Sequence, residues 1–318
     1  MTLMTSRRLL AATALAGLAT LANAQTFPDK PVRLIVPYPP GGSHSLHAGA
    51  ISTAAEAHFG QPMISVVRAG GGGSIAATEV SRGEADGYTV LFGDPTINSL
   101  RPQTEKLAYS AEDFVAIARI NYSPAVFVVA ADAPYSDLNG MVAWSKANPG
   151  KFIYSSDNVN GFTYVAFEML KVAAGADMKG ITFGGGGPAL AQLLGGHTMA
   201  YAGDPALLAD HIAAKKVKPI CATDTQRYPT LPEVPTCKEA GHDIVWQFWR
   251  GALVKKGTPP ERIAKLRESF DKLAKDEGFG RMIKGINSRV DYLSGEAFEQ
   301  ALRRERQDLK TLYSKLKP

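Results

Sequence analysis

Cysteine is nearly missing from this chain: of 318 residues only Cys221 and Cys237 carry a thiol. No C-x-x-C and no dense His/Cys/Asp/Glu cluster accompanies them, so a zinc ribbon, an iron–sulfur centre and a disulfide-framed miniprotein are excluded. The two thiols could pair in an exported protein or remain reduced and buried; their spacing leaves both open. Long apolar runs are missing too. After residue 24 no stretch approaches the roughly twenty uninterrupted apolar residues that a membrane helix needs. The excess of positive charge is small: of the formal +5, Arg7 and Arg8 supply two, and the rest of the chain is left at +3. Its basic residues are spread and interleaved with acids, which excludes a nucleic-acid footprint. The first strand is not followed by G-x-G-x-x-G with a placed acid, and no Lys-Ser or Lys-Thr follows Gly184–Gly187. A dinucleotide fold and a Walker-type phosphate loop are thereby excluded.

What is present begins with an export signal. Arg7-Arg8, an apolar stretch from Leu9 to Leu21 and Ala22-Asn23-Ala24 give a charged head, a short apolar segment and an A-x-A cut after Ala24. Ordinary secretion is the reading, with a twin-arginine route left open by the arginine pair. No cysteine stands before the cut to take a lipid.

The chain is organised around Val32–Ser45, VRLIVPYPPGGSHS. Val32–Val36 is a short β-branched run that reads as a buried strand. Three prolines and a glycine pair then forbid the strand to continue. Ser43–Gly60 follows as an alanine-rich helix, with Ser43 or Ser45 as its N-cap. Strand, stiff turn and helix start put free backbone N–H groups at a strand's carboxyl end, where open α/β sheets bind ligands. The unit repeats: Met63–Val67, a glycine run Gly70–Gly73, a helix Ser74–Arg82 and a strand Tyr88–Phe92. The strands Ala116–Ile120 and Ala125–Ala130 carry the chain into a second domain. Helices at Ser136–Ala147, Phe162–Ala174 and Pro188–Leu194 alternate there with strands at Phe152–Ser155, Gly180–Phe183 and Val217–Ala222. The return falls near Trp246–Val254, and two amphipathic helices, Thr258–Asp276 and Ser294–Leu316, finish the chain. This order predicts an α/β protein of two domains, residues 25–122 with 246–318 and residues 123–245, each a sheet flanked by helices with a cleft between them.

These segments carry a resemblance. Lys30–Gly42, KPVRLIVPYPPGG, resembles the "KPVRLIVPFPPGG" opening of Bug-type receptors, the periplasmic solute-binding components of tripartite tricarboxylate transporters. DGYTVLFG, SKANPGKFIY, ITFGGGGPALAQLLGG and the Leu231–Thr236 stretch LPEVPT resemble further family segments in the same order. The resemblance implies a type II-like periplasmic binding fold. It also implies a non-enzymatic receptor that captures a small organic acid and hands it to membrane permease subunits, as a monomer without metal or cofactor. Departures stand at the cleft: Ser45 replaces an aspartate, Tyr164 a histidine, Asp94 a threonine and Gly184 a lysine.

Strand-end loops of both domains supply the candidate ligand site. From the first come Tyr38 as an aromatic wall, Gly42, Ser43 and Ser45 as donors, and His44 and Asp94. From the second come Ser156, Asp157, Gly161, Tyr164, Gly184 and Asp204. Neutral donors at helix starts hold an anion without burying a fixed cation. His44 and His47, three residues apart, lack further ligands for a metal. A competing reading takes Gly72-Gly73-Ser74-Ile75-Ala76 as a nucleophile elbow, with Asp204 or Asp210 and His211 or His242 completing a triad. Ser74 is equally an ordinary helix cap. A sensor that docks on a membrane signalling receptor is a third reading.

Overall fold

The computed structural model describes residues 27–316, so the export signal and its cut after Ala24 lie outside the described residues. Two mixed sheets organise the chain. The first contains β1 (Val32–Val36), β2 (Met63–Val67), β3 (Thr89–Gly93), β4 (Phe114–Pro124), β10 (Gln247–Lys255) and β11 (Leu293–Ser294). Its order is β11-β4-β10-β3-β1-β2. The second contains β5 (Val126–Ala130), β6 (Ile153–Ser156), β7 (Lys179–Thr182), β8 (Ala200–Gly203) and β9 (Val217–Ala222), ordered β7-β6-β8-β5-β9. In each sheet three parallel strands are followed by an antiparallel one, β10 or β5, that arrives from the other sheet.

Period-2 alternation decides what each face touches. Val32, Leu34 and Val36 turn toward α1 (Ser43–Phe59), α8 (Pro260–Lys275) and α9 (Glu277–Gly285), while Ile35 turns toward α2 (Ser74–Arg82). In the second sheet Phe127 and Val129 face α4 (Leu138–Ala147) and α5 (Phe162–Ala174). Val126 and Val128 face α6 (Gly186–Leu194) and α7 (Pro205–Ala213). Both sheets are therefore covered on both sides, which is why their strands read as near-continuous apolar runs. The last helix, α10 (Gly295–Leu316), sets Phe298 and Leu302 into the first sheet's core and Leu309 into the second's.

The helix expected over Thr258–Asp276 stops at Lys275, and α9 follows separately after Asp276, whose carboxylate accepts the Phe279 amide at 2.7 Å. Glycines at 278, 280 and 285 hide α9 from a propensity reading. Phe279 and Ile283, both fully buried, hold it in place. A helical turn at Thr96–Leu100 running into α3 (Arg101–Thr104) was likewise not foreseen.

The chain passes between the sheets twice, at Pro124–Val126 and at Trp246–Gln247, and the passages lie side by side, with Gln247 paired to Pro124. Thr223 fastens them: its hydroxyl accepts from the Ala125 amide at 2.9 Å and donates to the Trp246 carbonyl at 2.6 Å. Its own amide donates to the Ala125 carbonyl, and its carbonyl accepts from the Trp246 amide. Close by, Cys221 and Cys237 form a disulfide, the alternative of two free thiols being set aside. The bridge closes a loop across a sequence separation of 16. Replacing both cysteines by alanine is expected to lower unfolding free energy by about 2–4 kcal/mol in urea titration.

Candidate functional site

The carboxyl ends of β1 and β3 in one sheet and of β6 and β8 in the other face one another across a cleft, and each runs into a helix start. After β1, Gly41 takes a left-handed φ of 83° and Gly42 is the N-cap of α1. Neither expected serine is the cap. Ser43 and Ser45 lie inside the first turn, because the glycine pair ends the loop one residue earlier. The Ser45 hydroxyl donates to the Gly42 carbonyl at 2.7 Å and accepts from the Gly41 amide at 3.1 Å, so it serves the loop and does not line the cavity.

Gly185, the N-cap of α6, brings the second sheet's helix start directly against this loop. A Cβ on Gly187 would stand 3.0 Å from the Gly41 carbonyl oxygen, and one on Gly185 would stand 3.1 Å from the Pro39 ring. At Gly187 backbone meets backbone, and a side chain there would crowd the Gly41 carbonyl. Gly184 stands just outside, with open space around it.

Between these elements lies a cavity of about 50 Å³. The first sheet's elements line it with Tyr38, Gly42, Ser43, His44, Phe248 and Arg250. The second's contribute Asp157, Phe162, Thr163, Gly186, Tyr201, Asp204 and Leu207. Of the twelve candidates, Tyr38, Gly42, Ser43, His44, Asp157 and Asp204 are brought together here. Ser45, Asp94, Ser156, Gly161, Tyr164 and Gly184 are not on the lining. Ser156 is fully buried, its hydroxyl donating to the Asp157 carboxylate at 3.2 Å. Gly161 is the N-cap of α5, packed on that same carboxylate, and Tyr164 is only half-buried along the helix near Glu168 and Lys171.

Asp94 is wholly buried and turned into the protein. It accepts from the Tyr38 hydroxyl at 2.7 Å, the Thr96 hydroxyl at 2.6 Å, and the Thr96 and Ile97 amides at 2.8 and 3.0 Å. Burial raises its pKa against these four bonds. His44 lies among the rings of Tyr38, Phe92 and Phe248, with Nε2 3.4 Å from Asp94. Burial first, then the Arg250 charge, hold His44 well below the usual imidazole range, so it is neutral.

Arg250 organises the floor. It projects from β10 with 1% exposure. Nη2 donates to Asp204 at 2.8 Å and to the Ser43 hydroxyl, and Nη1 reaches the Ser123 hydroxyl at 3.3 Å. Its Nε has no partner within the protein. Asp204 begins α7, accepting the Ala206 amide at 2.8 Å as well as the Ser123 hydroxyl. Burial pushes its carboxyl up, but Arg250 and His47 outweigh that and hold it below the usual range. Beneath, His47 donates from Nδ1 to the Ser43 carbonyl at 2.7 Å while Nε2 accepts from the Asn121 amide at 2.9 Å, a pairing that fixes the tautomer. Burial and Arg250 lower it to about 4.

Sequence reasoning passed over Arg250, Thr163, Tyr201 and Phe248. The signal for Arg250 was available: one cation within Phe248–Val254, an otherwise apolar run, must find a buried partner.

The elbow reading fares differently. The Ser74 hydroxyl donates to the Gly71 carbonyl at 2.8 Å, and the glycine loop is held by Arg101 bonded to the Gly72 carbonyl at 2.7 Å. Its candidate acids and one of its histidines are engaged elsewhere: Asp204 is paired to Arg250, Asp210 accepts from Asn287 at 3.3 Å, and His242 meets Asn139 at 3.3 Å. Among the described residues no group of three or more His, Cys, Asp or Glu side chains could hold a metal ion.

Two sheets of like order, joined by paired crossings and facing one another across a cleft, define the two-domain periplasmic binding proteins. A family model described as "Tripartite tricarboxylate transporter family receptor" matches residues 48–309, and the chain belongs to this family of periplasmic solute-binding receptors. BugT of Bordetella pertussis is 30% identical over 265 residues, covering 81% of this chain and 80% of that one. A TctC solute binding protein from Polaromonas is 31% identical with a TM-score of 0.69, over 91% of this chain and all of that one. The R. palustris protein Rpa4515 with adipate is 22% identical with a TM-score of 0.86, over 91% and 98% of the two chains, and bears on the fold alone.

Two outcomes follow. Arg250→Met strands the Asp204 charge and is expected to cost about 3–5 kcal/mol in denaturant unfolding, with part regained in the Arg250→Met/Asp204→Asn pair. Burial pushes Asp157 up to about 6. The folded state therefore holds this proton more tightly than the unfolded chain, and its contribution to stability falls as pH rises from about 4 to about 6. Asp157→Asn should gain on the wild type by about 3 kcal/mol across that window, read as the difference of two pH–stability profiles.

Proposed function

We propose that this chain is exported, cut after Ala24, and works as a monomeric receptor that captures a small carboxylated solute and presents it to the permease subunits of a tripartite transporter. The observation that supports this most directly is the meeting of two helix N-termini, α1 and α6, beside a buried arginine. Neither carries a side-chain cap. Exposed amides at a helix start, with the dipole behind them, form a seat for an anion. The two halves, bounded near residues 122 and 246, would open about the paired crossings and close on the solute. Family membership agrees with an organic acid as cargo.

The test is a thermal-shift screen of residues 25–318 against mono-, di- and tricarboxylates, aromatic acids and amino acids. A ligand at 100 times its Kd should stabilise the fold by about 2.7 kcal/mol, a readable rise in Tm. Small-angle scattering with the best compound should show contraction. No shift with any member, from protein first unfolded and refolded to strip carried-over ligand, would refute the reading.

A further inference from the structure

Of the five helix starts that ring the cleft, three are already occupied by the protein's own carboxylates. Asp94 takes the amides of Thr96 and Ile97, Asp157 those of Phe162 and Thr163, and Asp204 that of Ala206. Only α1 and α6 begin without an acidic cap. Arg250 lines the same cavity; its side chain is almost wholly buried and its Nε has no partner within the protein. A buried donor without an acceptor is unfavourable, and a ligand carboxylate that reached it would relieve that. There is one such seat, on the side of α1 and α6.

The other lining charges decide what the rest of the ligand carries. Asp157 and Asp204 are acidic, Arg250 is basic, and His44 is held neutral by burial. The cavity is thus one negative charge in excess before a ligand enters. A monocarboxylate deepens that excess, and a dicarboxylate would bury its second charge near Asp157 and Asp204 without a cation. An ammonium group on the ligand cancels the charge of its carboxylate, so the excess does not grow, and it gives Asp157 a cationic partner. Buried charge is tolerated only when it is paired. The cavity is small, about 50 Å³.

Resting on the receptor reading above, we propose that the cleft selects small amino monocarboxylates, with the carboxylate at the α1 and α6 starts beside Arg250 and the ammonium at Asp157. Dicarboxylates are disfavoured because the protein's own aspartates hold the places a second carboxylate would need.

The experiment is calorimetric titration of residues 25–318 at pH 7.5 with matched sets: glycine, β-alanine and 4-aminobutanoate against acetate, propionate and butanoate, and against oxalate, malonate and succinate. At least one amino acid should bind about tenfold or more tighter than both partners of equal chain length. Asp157→Asn, checked for folding by circular dichroism, should lose that preference, the ratio of amino-acid to plain-acid affinity falling toward one. If the variant does not fold, the wild-type ratios alone decide. A diacid or plain acid that binds as tightly as its amino counterpart overturns the proposal and leaves the receptor reading standing. Absence of binding by every acid, here and in the wider screen, removes both.

Discussion

The ion pair between Arg250 and Asp204 is the contact on which the rest of the cleft depends. The arginine rises from a strand of one sheet and the aspartate opens a helix on the other, so the pair spans the division of the molecule. Neither group could be buried alone, because removing one charge from water costs several kcal/mol that only the other offsets. Ser43, Ser123 and His47 are arranged around that requirement. The hydroxyls bond to the guanidinium or the carboxylate, and burial keeps the imidazole free of a second positive charge. The cavity floor is consequently preorganised, with side chains that cannot rotate without breaking a charged hydrogen bond.

The glycines of the cleft follow from the same closeness. Loops carrying Pro39–Gly42 and Gly185–Gly187 approach until backbone meets backbone, and side chains are excluded at the contact. Polarity at the rim is then supplied by amides, whose directions are set by helix geometry. Recognition by amides resists drift in sequence: most substitutions in the surrounding helices leave the donors where they are.

Much of the fold was legible from local pattern. Val32–Val36 and its stiff turn reveal a strand and a helix start, and SKANPGK and LPEVPT fall in family order, so the two-sheet arrangement could be anticipated. The site was half legible, for a physical reason. A helix start attracts a carboxylate, and Asp94 and Asp157 are drawn to such starts from their own chain, whereas sequence alone does not say whether the protein or a ligand fills the place. Ser45 was misread because the turn ends at Gly42. Arg250 was missed because its partner stands 46 residues away, a separation that only the tertiary fold closes. Helix α9 was hidden by its glycines and is held by packing.

The two passages between the sheets lie in one hydrogen-bonded ribbon, with Thr223 tying them from both sides. Two independent strands would allow the halves to swivel, shear and tilt. Passages held side by side by hydrogen bonds must bend together. The opening proposed above would then be one bend that both passages share, and a permease that reads both halves, as proposed, would sense occupancy as that single bend.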